Sequence, residues 1–354
     1  MMKDPICEQR LCTGCGACFQ VCPQGAVSML ANNEGFLHPH INEGLCNDCG
    51  LCTRTCPINK IENVDASVQQ KVYACYCRDE DVRAASSSGG VFTQLAMEVL
   101  SEGGVVFGAG FDESFSVRHC FVHDADELDS LRRSKYVQSD TGNTFKDVKT
   151  FLKEAKKVLY CGTPCQIAGL KAYLNRQTPN LLTCDLACHG VPSPKVWSMY
   201  LDFICGMYSS KIASISFRDK SEGWADYRMK IVFRNGKCYS ERAKRELFFI
   251  GFGKNIFNRK SCFDCKFRLA NTKADITLAD YWGIDKQEDE KFQDNKGVSL
   301  VITHSSAGEE ALSKIKEGIY IEERSFDEAV KYNPRLLTSV MEPAKRKSFF
   351  DDMY

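Results

Sequence analysis

The chain has 354 residues, 44% of them hydrophobic and 26% charged, which is typical of a globular protein with two or three domains and excludes a lone small module. Its 46 Lys and Arg balance 46 Asp and Glu, so no basic stripe predicts a nucleic-acid partner. No apolar run reaches the roughly 18–20 residues of a membrane span, and no signal core follows the first methionines, so we expect a cytoplasmic protein.

Cysteine is the unusual residue type, with 20 copies in the chain. A reducing compartment does not sustain a disulfide framework, and a chain of this length does not need one. The cysteines therefore predict metal or redox chemistry.

The first 60 residues contain two copies of one cysteine pattern, 34 residues apart. Each copy has three cysteines at intervals of three residues, then a fourth cysteine followed by proline, which is the ligand run of bacterial ferredoxins. In those proteins the fourth cysteine of each run binds the other run's cluster. We therefore predict a ferredoxin domain over residues 1–60 with two 4Fe-4S clusters. The expected ligand sets are Cys12, Cys15, Cys18 and Cys56 for the first cluster, and Cys46, Cys49, Cys52 and Cys22 for the second.

Structural zinc is the alternative for these cysteines. A tetrahedral zinc site uses four ligands, usually as two C-x-x-C pairs, and leaves the third and fourth cysteines of each run unexplained. Cys7 lies outside the repeated pattern, and we interpret it as a bystander that binds no metal.

Residues 61–70 are polar and predict a linker. After the linker, predicted strands and helices alternate in the manner of a mixed α/β domain. Strands are expected over 72–77, 104–111, 157–161 and 181–187, and helices over 90–100, 146–156, 166–174 and 307–317. Two further strands over 212–218 and 228–234 predict a meander whose turn carries Asn235 and Gly236.

A segment of small and polar residues precedes the predicted helix over 90–100, and it consists of Ser86, Ser87, Ser88, Gly89 and Gly90. Small residues let a ligand approach the backbone closely, and the N–H groups of a helix N-terminus are suited to a pyrophosphate. A serine-rich helix cap that binds no ligand would have the same sequence. The segment alone leaves both interpretations open.

A second group of six cysteines begins at residue 161. Cys161 and Cys184 lie within predicted strands and are expected to be buried packing residues. The other four lie in loops, two of them at the strand ends where α/β proteins bind ligands, and they are Cys165, Cys188, Cys262 and Cys265. Their spacing fits zinc and an iron–sulfur cluster equally well.

Six short segments carry a family resemblance, and they are Ser86–Gly90, Lys135–Ser139, Gly162–Leu170, Cys188–Pro192, Cys262–Cys265 and Ala274–Gly283. None is specific alone. Taken together, they make the sequence from about Val72 to about Thr303 resemble the beta subunit family of coenzyme F420 hydrogenase and dehydrogenase, with a two-cluster ferredoxin module in front.

The resemblance implies an α+β fold, that is, a mixed α/β domain, with a flavin-binding region at 71–150 and a cluster-binding region at 151–354. It implies FAD beside a third 4Fe-4S cluster, and it favours iron–sulfur over zinc at the second set of four cysteines. The residues expected to contact the flavin are Ser86, Ser87, Ser88, Gly89, Gly90, Lys135, Tyr136, Gln138, Ser139, Thr163 and Gln166.

Two charged or titratable side chains near these segments have two interpretations each. Lys135 pairs with a flavin phosphate or ring oxygen, or it is a solvated surface lysine. His189 follows Cys188 and either relays a proton or makes a structural hydrogen bond.

The resemblance implies an oxidoreductase that transfers electrons between a hydride carrier at FAD, such as reduced coenzyme F420, and ferredoxin-like acceptors or a partner redox subunit. Two alternatives remain open: a ferredoxin-dependent reductase of an organic substrate, for instance in glycan biosynthesis, and a non-catalytic electron-relay subunit of a larger complex. No G-x-G-x-x-G fingerprint follows a predicted strand, so nicotinamide binding lacks its usual signal. The oligomeric state has no signal in the sequence.

Overall fold

The computed structural model describes residues 5–61, 70–176, 178–286 and 289–353. The predicted linker lies outside the described residues, apart from its two end residues. In these four ranges, no helix combines the length and the apolar character that crossing a membrane requires.

The amino-terminal range forms a small module with internal repetition. Two short helices, α1 (Ala17–Val21) and α2 (Leu51–Thr55), each begin after a glycine whose φ angle is 77° or 68°. The antiparallel strands β1 (Val27–Ala31) and β2 (Leu37–Ile41) lie between them in the chain. The two helices start 34 residues apart, which confirms the internal repeat.

An eight-stranded sheet forms the centre of the rest of the chain. In spatial order its strands are β13 (Ile319–Arg324), β3 (Lys71–Cys77), β12 (Ser299–Thr303), β11 (Ile276–Asp280), β7 (Leu181–Leu186), β6 (Val158–Gly162), β4 (Val105–Phe111) and β5 (Val117–Val122). The four strands β4, β6, β7 and β11 run parallel, and the outer strands pair antiparallel. The mixed α/β class and the strands predicted before residue 190 are confirmed.

Helices connect and cover this sheet. The described helices that follow the module are α3 (Glu80–Ala84), α4 (Val91–Ser101), α5 (Thr144–Lys153), α6 (Pro164–Leu174), α7 (Pro194–Tyr208), α8 (Leu247–Gly253), α9 (Ser306–Lys314), α10 (Phe326–Lys331) and α11 (Lys345–Asp351). Four of them, α4, α5, α6 and α9, confirm the predicted helices with small shifts at their ends. A capping box between Thr163 and Gln166, with proline at the first helical position, fixes the start of α6.

A three-stranded antiparallel sheet extends from the main body. It contains β8 (Ile212–Asp219), β9 (Arg228–Phe233) and β10 (Cys238–Arg242), so the predicted meander is confirmed, with Gly236 at a φ of 81° in the turn between the last two strands. Sequence reasoning did not predict α7, whose Trp197 packs with Phe217 and Phe248 in an aromatic core under this sheet.

The module is attached to the rest of the protein through the β1–β2 turn. Phe36 in this turn is only 1% exposed and belongs to the same aromatic core as Trp197. Beside it, the Arg346 guanidinium of α11 binds both carboxylate oxygens of Glu34. Phe36 and the ion pair between Glu34 and Arg346 therefore hold this turn of the module against the rest of the protein.

A buried carboxylate lies on β7, close to the strand end that leads to Cys188. Asp185 is 1% exposed and accepts hydrogen bonds from the hydroxyls of Thr272 and Thr277, both at 2.5 Å. Burial raises the pKa of Asp185 from its usual 3.8 to about 7. The folded protein therefore binds more protons than the unfolded chain between about pH 4 and pH 7, and the free energy of unfolding falls as the pH rises through this window.

We expect Asp185→Asn to raise the free energy of unfolding at about pH 8 by at least about 1 kcal/mol, since one pKa unit corresponds to about 1.4 kcal/mol. The gain should disappear toward about pH 5, because the native carboxyl is then protonated. Chemical unfolding at both pH values measures this, with Asp202→Asn on the exposed face of α7 as the matched control. A loss of stability at both pH values would contradict the prediction.

Candidate redox site

The first predicted ligand set surrounds one cavity in the module. Cys12, Cys15, Cys18 and Cys56 all line it, although Cys56 comes from the other cysteine run. Burial raises the pKa of the Cys15 thiol to about 12 and also raises the pKa of the Cys18 thiol. The structure thus brings together the four cysteines that the ferredoxin pattern assigns to the first cluster.

Cys7, which was interpreted as a bystander that binds no metal, also lines this cavity. Its thiol hydrogen-bonds to Cys12 and Cys56, and the bond to Cys12 is the main reason why the pKa of Cys7 is raised. Cys7 lies outside the repeated pattern because four residues separate it from Cys12, the first cysteine of the run.

The second predicted set lies at the outer end of the module. Cys22 and Cys52 pack in one small apolar cluster. Cys46 and Cys49 lie in the loop before α2, where the Arg54 guanidinium donates to the Cys49 carbonyl at 2.8 Å and Cys49 is exposed. This end of the module is therefore the one open to solvent.

The third set of four cysteines comes together from three segments. Cys165 is the second residue of α6, Cys188 follows β7, and Cys262 and Cys265 lie in and just after a short 3-10 helix (Lys260–Asp264). Burial raises the pKa of Cys188 well above its usual value, and the other three thiols raise it further, which requires all four to be close. In the four described ranges, no three Cys, His, Asp or Glu side chains form a ready site for a single metal ion.

A cavity of about 650 Å³ opens beside this third set. Cys165 and Cys188 line it, and so do ten of the eleven predicted flavin contacts, namely Ser86, Ser87, Ser88, Gly90, Lys135, Tyr136, Gln138, Ser139, Thr163 and Gln166. Gly89 does not: a side chain there would lie 2.7 Å from the Ser299 backbone nitrogen, so Gly89 serves the contact between the loop and β12.

The serine hydroxyls of the loop before α4 bind within the protein. Ser86 Oγ donates to the Val82 carbonyl at 2.7 Å, Ser88 Oγ donates to the Val298 carbonyl at 2.8 Å, and Ser87 Oγ accepts from the Ser134 N–H at 2.8 Å. The loop is therefore a preorganised wall, and it offers its backbone and the N-terminus of α4 to the cavity.

Lys135 lines the large cavity, and its ammonium is held by the backbone of the cavity wall. Its ammonium donates to the backbone carbonyls of Ser130 at 3.1 Å, Arg132 at 2.7 Å and Arg133 at 3.4 Å. Burial lowers the pKa of Lys135 to about 8. With its three donors engaged, Lys135 organises the cavity wall and is not a solvated surface lysine.

Ser139 and Gln166 belong to a buried chain of hydrogen bonds that includes His119, a residue not predicted from the sequence. Gln166 Nε2 donates to Ser139 Oγ at 3.0 Å, Ser139 Oγ lies 2.8 Å from His119 Nδ1, and His119 Nε2 lies 3.0 Å from the Cys161 carbonyl. Because only a donor can bind that carbonyl, the proton of the neutral ring is on Nε2. Burial lowers the pKa of His119 to about 4, which keeps the ring neutral.

Arg218 is a second residue that sequence reasoning missed. It is 3% exposed, and its guanidinium pairs with Asp280 at 2.8 Å and donates to Tyr136 Oη at 3.1 Å and to the Ser87 carbonyl at 3.2 Å. It also lies 3.9 Å from the ring centre of Tyr227. This single cation ties the β8–β10 sheet to two predicted flavin segments.

His189 makes the structural hydrogen bond. Its Nε2 lies 2.7 Å from Asn255 Oδ1, and burial lowers the pKa of the ring.

Two contacts connect the module to the large cavity. Thr13 lines both cavities, and its carbonyl accepts from Gln138 Nε2 at 2.9 Å. Cys15 packs against Gly169 of α6, where an added methyl group would lie 2.9 Å from Cys15 Sγ. Gly169 and Cys165 lie four residues apart on one helix face, so the contact with Cys15 is about one helical turn from Cys165 of the third set.

Three models of known protein families match this chain. The family model for the amino-terminal part of the coenzyme F420 hydrogenase/dehydrogenase beta subunit matches residues 72–146, and the family model for its carboxyl-terminal part matches residues 155–329. A 4Fe-4S dicluster domain model matches residues 11–60. No curated protein matches the chain.

Among solved structures, the chain is similar to a chain of the xenon-derivatised F420-reducing NiFe hydrogenase complex from Methanosarcina barkeri. The sequence identity is 18% and the TM-score is 0.49, over 81% of this chain and 94% of that chain.

A 4Fe-4S dicluster module in front of the two matched hydrogenase/dehydrogenase domains defines an iron–sulfur oxidoreductase that transfers electrons. The chain belongs to the coenzyme F420 hydrogenase/dehydrogenase beta subunit family, whose two models span most of the sequence after the module.

Proposed function

We propose that this protein binds FAD and three 4Fe-4S clusters and transfers electrons between a reduced hydride carrier, coenzyme F420 or a similar compound, and a ferredoxin-like acceptor or partner redox subunit. A bound flavin exchanges hydride and iron–sulfur clusters exchange single electrons, so together they would connect a two-electron donor to one-electron acceptors. The ligands would be the three sets of four cysteines described above.

One observation carries the proposal: the predicted flavin segments and two cysteines of the third set line the same cavity of about 650 Å³. This volume is within the range of cofactor and ligand pockets. Separate sites would not support the proposal, because electron exchange between a flavin and a cluster needs the two groups side by side.

The cavity wall suits a dinucleotide. Gly90, Val91 and Phe92 at the start of α4 line it, and the positive end of an 11-residue helix favours phosphate. Arg132 and Arg133 line the same cavity and add positive charge. The bound serine hydroxyls and Lys135 keep this wall rigid, so the chain offers a preorganised anion site.

The order of the cysteine sets suits electron transfer from the cavity to the surface. Two cysteines of the third set line the cavity, the first set contacts α6 through Cys15 and Gly169, and the second set includes the exposed Cys49. An acceptor that docks at the second set would therefore be far from the hydride carrier but would receive its electrons through the three clusters.

The test is the composition and reduction of anaerobically purified protein. We expect about twelve irons per chain, corresponding to three clusters of four, and one FAD released on denaturation. Adding reduced coenzyme F420 should bleach the flavin absorbance. Cys188→Ser should lose about four irons, whereas Cys205→Ser, a half-buried cysteine of α7 outside the three sets, should keep all of them.

Zinc in place of iron, or the absence of flavin, would overturn the proposal. Reduction by ferredoxin without bleaching by reduced coenzyme F420 would instead identify a reductase of an organic substrate. No turnover with small donors, together with a stable co-purifying partner, would identify a relay subunit.

A further inference from the structure

A buried arginine lies at the contact between the module and the rest of the protein. Arg259 is 2% exposed and precedes Cys262 of the third set by three residues. Its guanidinium donates to the Cys12 carbonyl at 2.8 Å, the Leu37 carbonyl at 2.9 Å and Gln138 Oε1 at 3.0 Å. One side chain thus binds the first cysteine run, β2 and the wall of the large cavity.

The same guanidinium lies beside cysteine sulfur. Arg259 Nη2 is 3.7 Å from Cys12 Sγ and 3.2 Å from His38 Nε2, which accepts from it. On its other side, the backbone carbonyl of Arg259 accepts from the N–H of Cys262, a residue of the third set, at 3.0 Å. Arg259 therefore lies between the first and the third set of cysteines.

This charge has no carboxylate partner among the described residues, whereas the buried arginines Arg83, Arg218 and Arg346 each pair with one. Burying a cation without a counter-charge is costly. The acidic group that lies beside the Arg259 guanidinium is the thiol of Cys12, 3.7 Å away, so the buried charge is compensated when the first cysteine set is anionic.

We propose that Arg259 is a positioning residue that holds the first cluster against the flavin-binding region and raises its reduction potential. The inference rests on the proposed function, because it requires a 4Fe-4S cluster at Cys12, Cys15, Cys18 and Cys56. A reduced cluster carries one more negative charge than an oxidised cluster, and a nearby buried cation favours the more negative state. The effect makes the first cluster a better acceptor for electrons that arrive from the third.

The experiment is a redox titration followed by electron paramagnetic resonance, with iron analysis of each sample. The first cluster's signal is identified by its loss in Cys12→Ser. In Arg259→Gln, reduction of the first cluster should become at least tenfold less favourable, which is about 59 mV for one electron. Arg259→Lys keeps the charge and should change the equilibrium constant less than threefold.

Arg346→Gln is the matched control, because it breaks another buried arginine contact between the module and the rest of the protein without removing charge near Cys12. Arg346→Gln should change the equilibrium constant for reduction of the first cluster less than threefold. Equal shifts in Arg259→Gln and Arg346→Gln, or no shift in either, overturn the inference. Loss of four irons from Arg259→Gln but not from Arg259→Lys or Arg346→Gln supports it, and loss from both Arg259 variants overturns the role of charge.

Failure of the inference and failure of the proposed function give different results. Wild-type protein without iron contradicts the proposed function, whereas wild-type protein with about twelve irons and an unshifted Arg259→Gln contradicts only the role of Arg259.

Discussion

Phe36→Ala is expected to lower the free energy of unfolding by about 3–5 kcal/mol, the usual cost of removing a buried phenylalanine side chain. Phe36 is 1% exposed and fills a position in the aromatic core of the larger part of the protein, although it belongs to the β1–β2 turn of the module. The loss should therefore loosen the module as well as weaken the core.

Chemical denaturation measures the change, and hydrogen exchange of β1 and β2 reports whether the module detaches. Leu30→Ala is the matched control, because Leu30 lies on the same hairpin but is 53% exposed. It should change the stability by less than about 0.5 kcal/mol. An unchanged unfolding midpoint in Phe36→Ala would show that the module is held by other contacts.

Gly169→Ala is expected to remove about four of about twelve irons and to lower the free energy of unfolding by about 1–3 kcal/mol. The added methyl group would lie 2.9 Å from Cys15 Sγ and 3.0 Å from Cys15 Cβ, closer than side-chain atoms normally approach. The loop that carries the first cysteine run must then move away from α6, and the first ligand set opens.

Gly206→Ala is the control, since it makes the same change inside α7 at a position where an added methyl group meets no atom within 4 Å. It should keep all the iron and stabilise the protein by up to about 1 kcal/mol through the higher helix propensity of alanine. Full iron content in Gly169→Ala would refute the close contact between Cys15 and α6.

The predictions confirmed by the structure are those that depend on local patterns. The strands of the parallel sheet and helices α4 and α6 have short apolar runs or helical spacing with clear turn residues at their ends. The internal repeat also depends on a local pattern, because each cysteine run and the short helix in it lie within a few residues of each other.

The expected roles of single polar residues depend on distant partners. Lys135 and Ser139 lie in a family segment, but only the structure shows that their polar atoms bind backbone carbonyls and His119. Arg218 had no sequence signal, since its partner Asp280 is 62 residues away. These partners are brought together by the packing of the folded chain, which a pattern of neighbouring residues does not show.

The sequence by itself determined that this is a mixed α/β protein with an iron–sulfur dicluster module, because metal-ligand spacing and strand–helix alternation are properties of neighbouring residues. Only the tertiary structure decided how the module is held, and that Arg259 lies between two cysteine sets. Its contacts to Gln138 and Cys12 span 121 and 247 residues of sequence, and such pairs are brought together only when separately folded surfaces pack and exclude water.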